Sequence, residues 1–114
     1  MTQEWQAICH IDDIPTLGAR VVKRNAARDV AIFKNAEGKV FALLDKCPHK
    51  GGPLSQGIVF GERVACPLHN WSIELPTGCA VTPDEGCTHR FSVKLEADQV
   101  YLNSHELLTL AIES

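Results

Sequence analysis

The sequence has no apolar run that approaches the roughly 18 residues of a membrane-spanning helix. It has no block of five like charges, and its formal net charge of −3 is too small to indicate a nucleic-acid or membrane-surface partner. Residues 1–5 do not combine a basic region with an apolar one, so we expect no signal peptide and a cytoplasmic location.

The chain also lacks internal repeats, low-complexity tracts and linkers, and its 114 residues suit one domain rather than two. With 45% hydrophobic residues it can bury a core. Glycine and proline separate short segments, which is typical of an all-β domain. We therefore predict one all-β domain over residues 1–114, with a core at about 5–102 and a C-terminal tail at 103–114.

Strand patterns occur in the segments 5–9, 19–23, 30–34, 39–44, 63–65, 91–96 and 100–102. The segments 30–34 and 39–44 are predicted to form a hairpin. Residues 40–44 are apolar on both faces, which indicates a central, buried strand. Residues 91–96 alternate clearly between apolar and polar and predict one continuous strand. The tail from Ser104 fits both a strand and a helix pattern, so its structure stays open.

Two cysteine–histidine pairs stand in proline-containing loops. Cys47-Pro48-His49 follows the strand predicted at 40–44, and Cys66-Pro67-Leu68-His69 follows the one at 63–65. Two thiolates and two imidazoles suit a tetrahedral zinc ion, or a two-iron cluster with both cysteines on one iron. The surroundings favour the cluster, because this spacing in Pro/Gly-rich loops differs from the Cys-x-x-Cys knuckles and helical histidine pairs of common zinc sites.

The stretches CPHKGGPLS from Cys47 and CPLHNW from Cys66 resemble the two cluster-binding loops of Rieske ferredoxins. The resemblance implies one [2Fe–2S] cluster per chain, with Cys47 and Cys66 on one iron and His49 and His69 on the other. It also implies a Rieske-type antiparallel β-sandwich with a small cluster-binding subdomain, and transfer of single electrons. Leu75-Pro76-Thr77-Gly78 is similar to the family's third proline segment, which packs against the cluster.

A narrower resemblance links the chain to the small subunit of assimilatory NAD(P)H-dependent nitrite reductase. It rests on the segments WQAICHIDDIP (5–15), DVAIF (29–33) and GCTHRFSVKLE (86–96). It implies a large partner subunit with FAD, a [4Fe–4S] cluster and sirohaem, and reduction of nitrite to ammonium in nitrate assimilation. Two alternatives remain open: a free-standing ferredoxin of an aromatic-ring dioxygenase, and a zinc-stabilised interaction module.

The sequence contains no glycine pattern typical of nucleotide binding and no nucleophile paired with a base. We therefore predict no catalytic residue in this chain and no independent substrate turnover. Its role in an oxidoreductase would be that of an electron-carrying subunit, since the redox chemistry belongs to the cofactor.

Cys9, Cys79 and Cys87 have no ligand partner by spacing. The favoured interpretation is that they are small, buried side chains. A Cys79–Cys87 disulfide and a redox-sensing thiol are the alternatives. Trp71 stands two positions after His69 and is predicted to pack in the core or to limit water access to the cluster.

Overall fold

The computed structural model describes residues 4–23, 29–47, 53–66, 71–81 and 85–109. Residues 107–109 are described by their backbone alone. Within these ranges the strands are β1 Trp5–His10, β2 Gly18–Val22, β3 Val30–Lys34, β4 Val40–Leu44, β5 Ile58–Phe60, β6 Arg63–Ala65, β7 Ser72–Glu74, β8 Arg90–Phe91, β9 Val93–Glu96 and β10 Gln99–Asn103. Short 3₁₀ helices span Ile11–Asp13 and Leu54–Gln56, and a helix, α1, spans Ser104–Thr109. The predicted all-β class is confirmed.

The strands form three antiparallel sheets. The outer sheet has the order β1-β10-β9, the central sheet β2-β3-β4-β8, and the small sheet β5-β6-β7. Successive side chains of a strand point to opposite faces, and β3 uses both faces. Val30 and Ile32 pack with residues of the outer sheet, while Ala31 and Phe33 pack with residues of the small sheet. The central sheet is therefore covered on both sides.

The predicted β3–β4 hairpin is confirmed, and its turn shows why the two strands meet in register. The Asn35 side-chain oxygen accepts hydrogen bonds from the backbone N–H groups of Glu37 and Lys39 at 3.0 and 2.9 Å. Gly38 has a φ of +83°, which glycine adopts without steric cost. The hairpin sets where β4 ends, and the first cysteine–histidine loop begins just beyond that end.

The prediction of one strand over residues 91–96 is wrong. Phe91 in β8 pairs with Ala42 in the central sheet, whereas β9 pairs with β10 in the outer sheet. Ser92 lies at the crossover between the two sheets. The alternating pattern continues through the crossover, although Leu95 at its far end is 43% exposed. Strands β5 and β7 were not predicted, although β6, which has the same length, was. A run of three residues carries too little periodicity to be recognised consistently.

The tail begins as the helix α1, which resolves the open choice between strand and helix for residues 104–109. The Asn103 side-chain oxygen accepts a hydrogen bond from the Glu106 N–H at 3.1 Å and so caps the helix. The Glu106 carboxylate accepts hydrogen bonds from the N–H and hydroxyl of Ser92 at 2.6 and 2.8 Å. The helix is thereby fixed to the crossover. No helix in the described ranges is long and apolar enough to cross a membrane.

Candidate metal centre

Cys47 and Cys66 follow the ends of two strands in different sheets, and each stands after the strand that the sequence predicts. Strand β4 ends at Leu44 and strand β6 ends at Ala65. Both cysteines are fully buried, in a single apolar cluster formed by the central and small sheets. Neither takes part in a disulfide. The fold thus brings two thiols from distant parts of the sequence into one buried region.

The two predicted histidine ligands, His49 and His69, lie outside the described residues. Within the described ranges, no three His, Cys, Asp or Glu side chains gather closely enough to hold a metal ion. The complete ligand set of Cys47, His49, Cys66 and His69 therefore stays a prediction. The described half fits the proposed cofactor, because two buried thiolates are the donors that iron–sulfur clusters select.

Each of the two loops is closed by hydrogen bonds across its ends. In the second loop, the backbone N–H of Cys66 donates to the carbonyl oxygen of Trp71 at 2.7 Å. In the first loop, both oxygens of the Asp45 carboxylate accept from Ser55, from the N–H at 2.7 Å and from the hydroxyl at 2.8 Å. The chain is therefore fixed immediately before and after the predicted ligand segments.

The third proline segment lies against the same buried region. Leu75 is fully buried in the cluster that contains Cys47 and Cys66. The segment turns at Gly78, where φ is +78° and a Cβ atom would lie 2.7 Å from the carbonyl oxygen of Thr88. Only glycine fits this turn without strain. The expectation that this segment packs at the site therefore agrees with the position of Leu75.

Trp71 is half-buried and packs against the cluster that holds the two cysteines. Its backbone carbonyl closes the second loop, as described above. The predicted core role of Trp71 is confirmed. Its effect on water access to the metal centre stays a prediction.

The favoured interpretation of Cys79 and Cys87 as buried thiols is wrong, because the two form a disulfide and Cys87 is exposed. An isolated β-bridge pairs these residues and places their Cα atoms 3.9 Å apart. Proline and glycine within the eight-residue separation are the signal that the chain reverses here. Cys9 is buried as expected, with 7% exposure, and burial raises the pKa of its thiol.

Residues 4–95 match the model of the Rieske [2Fe-2S] domain family. The chain therefore belongs to this family, which agrees with its nearly all-β fold of antiparallel sheets. Its cofactor is a Rieske-type [2Fe–2S] cluster, and this assignment decides against the zinc-stabilised module. Rieske proteins are redox components of oxidoreductase systems.

Over 103 residues the chain is 33% identical to the ferredoxin component of the naphthalene 1,2-dioxygenase/salicylate 5-hydroxylase systems of Ralstonia sp., covering 90% of this chain and 97% of that protein. It is also 33% identical over 99 residues to apoptosis-inducing factor 3 of Homo sapiens. That match covers 86% of this chain and 16% of the human protein, so the chain spans only a small part of that relative.

Among solved structures, one similar fold belongs to a protein assigned as the small subunit of an NADPH nitrite reductase. The TM-score is 0.77 at 24% identity, covering 89% of this chain and 99% of that chain. At this level of identity the match establishes a common fold. Ferredoxin-like and nitrite-reductase-like proteins thus both share the architecture.

Proposed function

We propose that this chain is a Rieske electron carrier that acts as the small subunit of an NAD(P)H-dependent nitrite reductase. In this proposal Cys47 and Cys66 bind one iron of the cluster, and His49 and His69 bind the other. The observation that carries the ligand assignment is the burial of both cysteines in one cluster, each just after a strand end. The proposal treats residues 1–114 as one domain, with its core at about 5–102.

The described residues have two tasks at such a centre. Cys47 and Cys66 would supply the thiolates, and Leu54, Leu75 and Trp71, which pack in the same apolar cluster, would keep water away from them. When bound, the cluster supplies a one-electron redox step. The protein holds the ligands and sets the polarity around them, and these properties tune the potential.

The surroundings of the second loop favour a low reduction potential. High-potential Rieske proteins carry two hydroxyl side chains after the second ligand cysteine, where this chain has Trp71 and Ile73. Ile73 is fully buried and has no polar group to donate to sulfur. Hydrogen bonds to the sulfurs raise the potential by stabilising the reduced state, so their absence lowers it. A low potential suits electrons that come from NAD(P)H.

The nitrite reductase assignment is supported by three segments that resemble that subunit family. Residues 5–15 contain β1 and the first 3₁₀ helix, and residues 29–33 make most of the fully buried strand β3. Residues 86–96 supply one half of the disulfide, β8 and β9. The proposed partner is a large subunit with FAD, a [4Fe–4S] cluster and sirohaem, in the cytoplasm, where nitrite is reduced to ammonium in nitrate assimilation.

A second candidate function is that of a free-standing ferredoxin for an aromatic-ring dioxygenase. The observation that favours it is the 33% identity to the Ralstonia ferredoxin component over 97% of that protein's length. Both candidates assign the same cluster and the same one-electron role to the chain. They differ in the protein that accepts the electron.

Co-purification from the native cell separates the two candidates. The chain is tagged, recovered under non-denaturing conditions, and its large partner is identified by mass spectrometry. We expect a sirohaem-containing protein, together with NAD(P)H-dependent consumption of nitrite in the recovered complex. Recovery of an oxygenase would refute the nitrite reductase assignment in favour of the second candidate. A complex that is equally active with a tagged Cys47→Ser chain would contradict an electron-carrying role.

A further inference from the structure

Asp45 and Ser55 form a closely bonded pair at the two ends of the first predicted ligand loop. The Ser55 N–H and hydroxyl donate to the two different oxygens of the Asp45 carboxylate, at 2.7 and 2.8 Å. Ten residues separate the two partners, and Cys47 stands two positions after Asp45. We call this pair the Asp45–Ser55 clamp.

The clamp is held in place by the central sheet. Asp45 is only 8% exposed, and its backbone N–H donates to the carbonyl oxygen of Asp29 at 2.9 Å. A buried carboxylate needs hydrogen-bond donors, because losing water without compensation is costly. On the other side, Ser55 belongs to the 3₁₀ helix Leu54–Gln56, and Leu54 is fully buried in the apolar cluster that also contains Cys47.

The two loops differ in how they are closed. The Cys66 N–H donates to the Trp71 carbonyl one position beyond Ala65 and Ser72, the last pair of the β6–β7 ladder. The second loop is therefore closed by an extension of the sheet's backbone hydrogen bonding. The first loop leaves β4 and returns to a 3₁₀ helix rather than to a paired strand. Its ends are joined by two hydrogen bonds to the Asp45 carboxylate, and a single substitution of that side chain can remove them.

We propose that Asp45 and Ser55 are positioning residues of the metal centre, which fix the backbone before and after Cys47 so that its thiolate would be held in place to bind iron. The inference rests on the proposed ligand role of Cys47 and is independent of the redox partner. Loss of the clamp frees the chain on both sides of Cys47 and speeds dissociation of the cluster. It would also alter the surroundings of a cluster bound through Cys47.

The chain contains a matched control for this chemistry. The Glu106 carboxylate binds the N–H and hydroxyl of Ser92 at 2.6 and 2.8 Å, with the same pairing of atoms, but it joins helix α1 to the sheet crossover. Ser92→Ala and Ser55→Ala therefore each remove a hydrogen bond from a serine hydroxyl to a carboxylate, one at the sheet crossover and one at the first loop. Glu106→Gln and Asp45→Asn form the second matched pair.

The test uses the full-length, cluster-loaded chain and its variants Ser55→Ala, Ser55→Thr and Asp45→Asn beside the two control variants. Loss of the visible absorbance is followed in excess iron chelator. Hydrogen bonds to charged groups are strong enough that Ser55→Ala should speed this loss by about tenfold or more. Ser55→Thr keeps the hydroxyl and should stay near the parent rate. Ser92→Ala and Glu106→Gln should stay within about threefold of it.

The electron paramagnetic resonance spectrum of the reduced chain is the readout that a purely structural role would not move. We expect shifted g values in Ser55→Ala and unchanged ones in Ser92→Ala. Parent-like rates and spectra in Ser55→Ala would overturn the inference, and so would equal acceleration in both alanine variants. If Asp45→Asn purifies without iron, the inference is decided by comparing the rates and spectra of Ser55→Ala with those of Ser55→Thr.

Cys47→Ser separates this inference from the ligand assignment. Iron loss in Cys47→Ser together with a parent-like Ser55→Ala chain refutes the clamp alone. Full iron content in Cys47→Ser refutes the ligand role and the positioning role together.

Discussion

Because Cys79 and Cys87 form a disulfide, we predict that the melting temperature of this protein depends on whether that bond is oxidised or reduced. The bridge joins residues next to β7 to the segment that leads into β8. On the β7 side, the Glu74 N–H donates to the Cys79 carbonyl. On the other side, the Thr88 hydroxyl donates to the carbonyl of Leu44, at the end of β4. The disulfide therefore connects the small sheet to the central sheet.

The size of the effect follows from the length of the closed loop. For a sequence separation of 8, the chain-entropy relation gives about 2.5 kcal/mol for the folded state. Unfolding a chain of 114 residues has an entropy near 0.24 kcal/mol/K, so the double variant Cys79→Ser/Cys87→Ser should melt about 10 °C below the parent. Its iron content should be unchanged, because neither cysteine belongs to the proposed ligand set.

Circular dichroism melts of the cluster-loaded parent and double variant measure this difference, with visible absorbance recorded on the same samples. A phosphine reductant provides the control, since it should lower the melting temperature of the parent and leave the variant unaffected. Melting temperatures within about 3 °C of each other would refute the entropic reasoning. A parent insensitive to the reductant would show that the bridge does not stabilise the fold.

Three further outcomes are expected. Cys47→Ser and Cys66→Ser should each lose bound iron and visible absorbance, whereas Cys9→Ser should keep full iron content; iron analysis that finds either ligand variant loaded would remove that cysteine from the ligand set. Gly57→Ala would place a Cβ atom against the carbonyl oxygen of Ala65, so we expect a destabilisation of about 1–3 kcal/mol in a denaturant titration, and an unchanged midpoint would contradict the close contact. The reduction potential should lie near −150 mV, at the low end of the range of about −150 to +300 mV for Rieske centres, and voltammetry giving a value above about +100 mV would contradict the assignment to low-potential carriers.

Local sequence was sufficient to predict the hairpin and the strands that end before Cys47 and Cys66. The bounds of β3, Val30–Lys34, and of β6, Arg63–Ala65, agree with the prediction, and β4 differs by one residue at its start. Alternation of side chains and the turn signals between strands are properties of neighbouring residues, so they can be recognised without the fold. The Rieske family was identified for the same reason, because each half of its motif is a short continuous segment.

Partners that are distant in sequence were decided by the tertiary structure alone. The alternation of residues 91–96 would be the same if they formed one strand in one sheet or two strands in two sheets. Only the packing of the sheets decides that β8 pairs with β4 and β9 with β10. Proline and glycine between Cys79 and Cys87 leave a disulfide open as one alternative, and only the β-bridge between the two residues decides for it. Asp45 and Ser55 likewise resemble ordinary polar loop residues in the sequence. Their roles depend on burial and on the meeting of separate backbone segments, and those are set only when the three sheets pack.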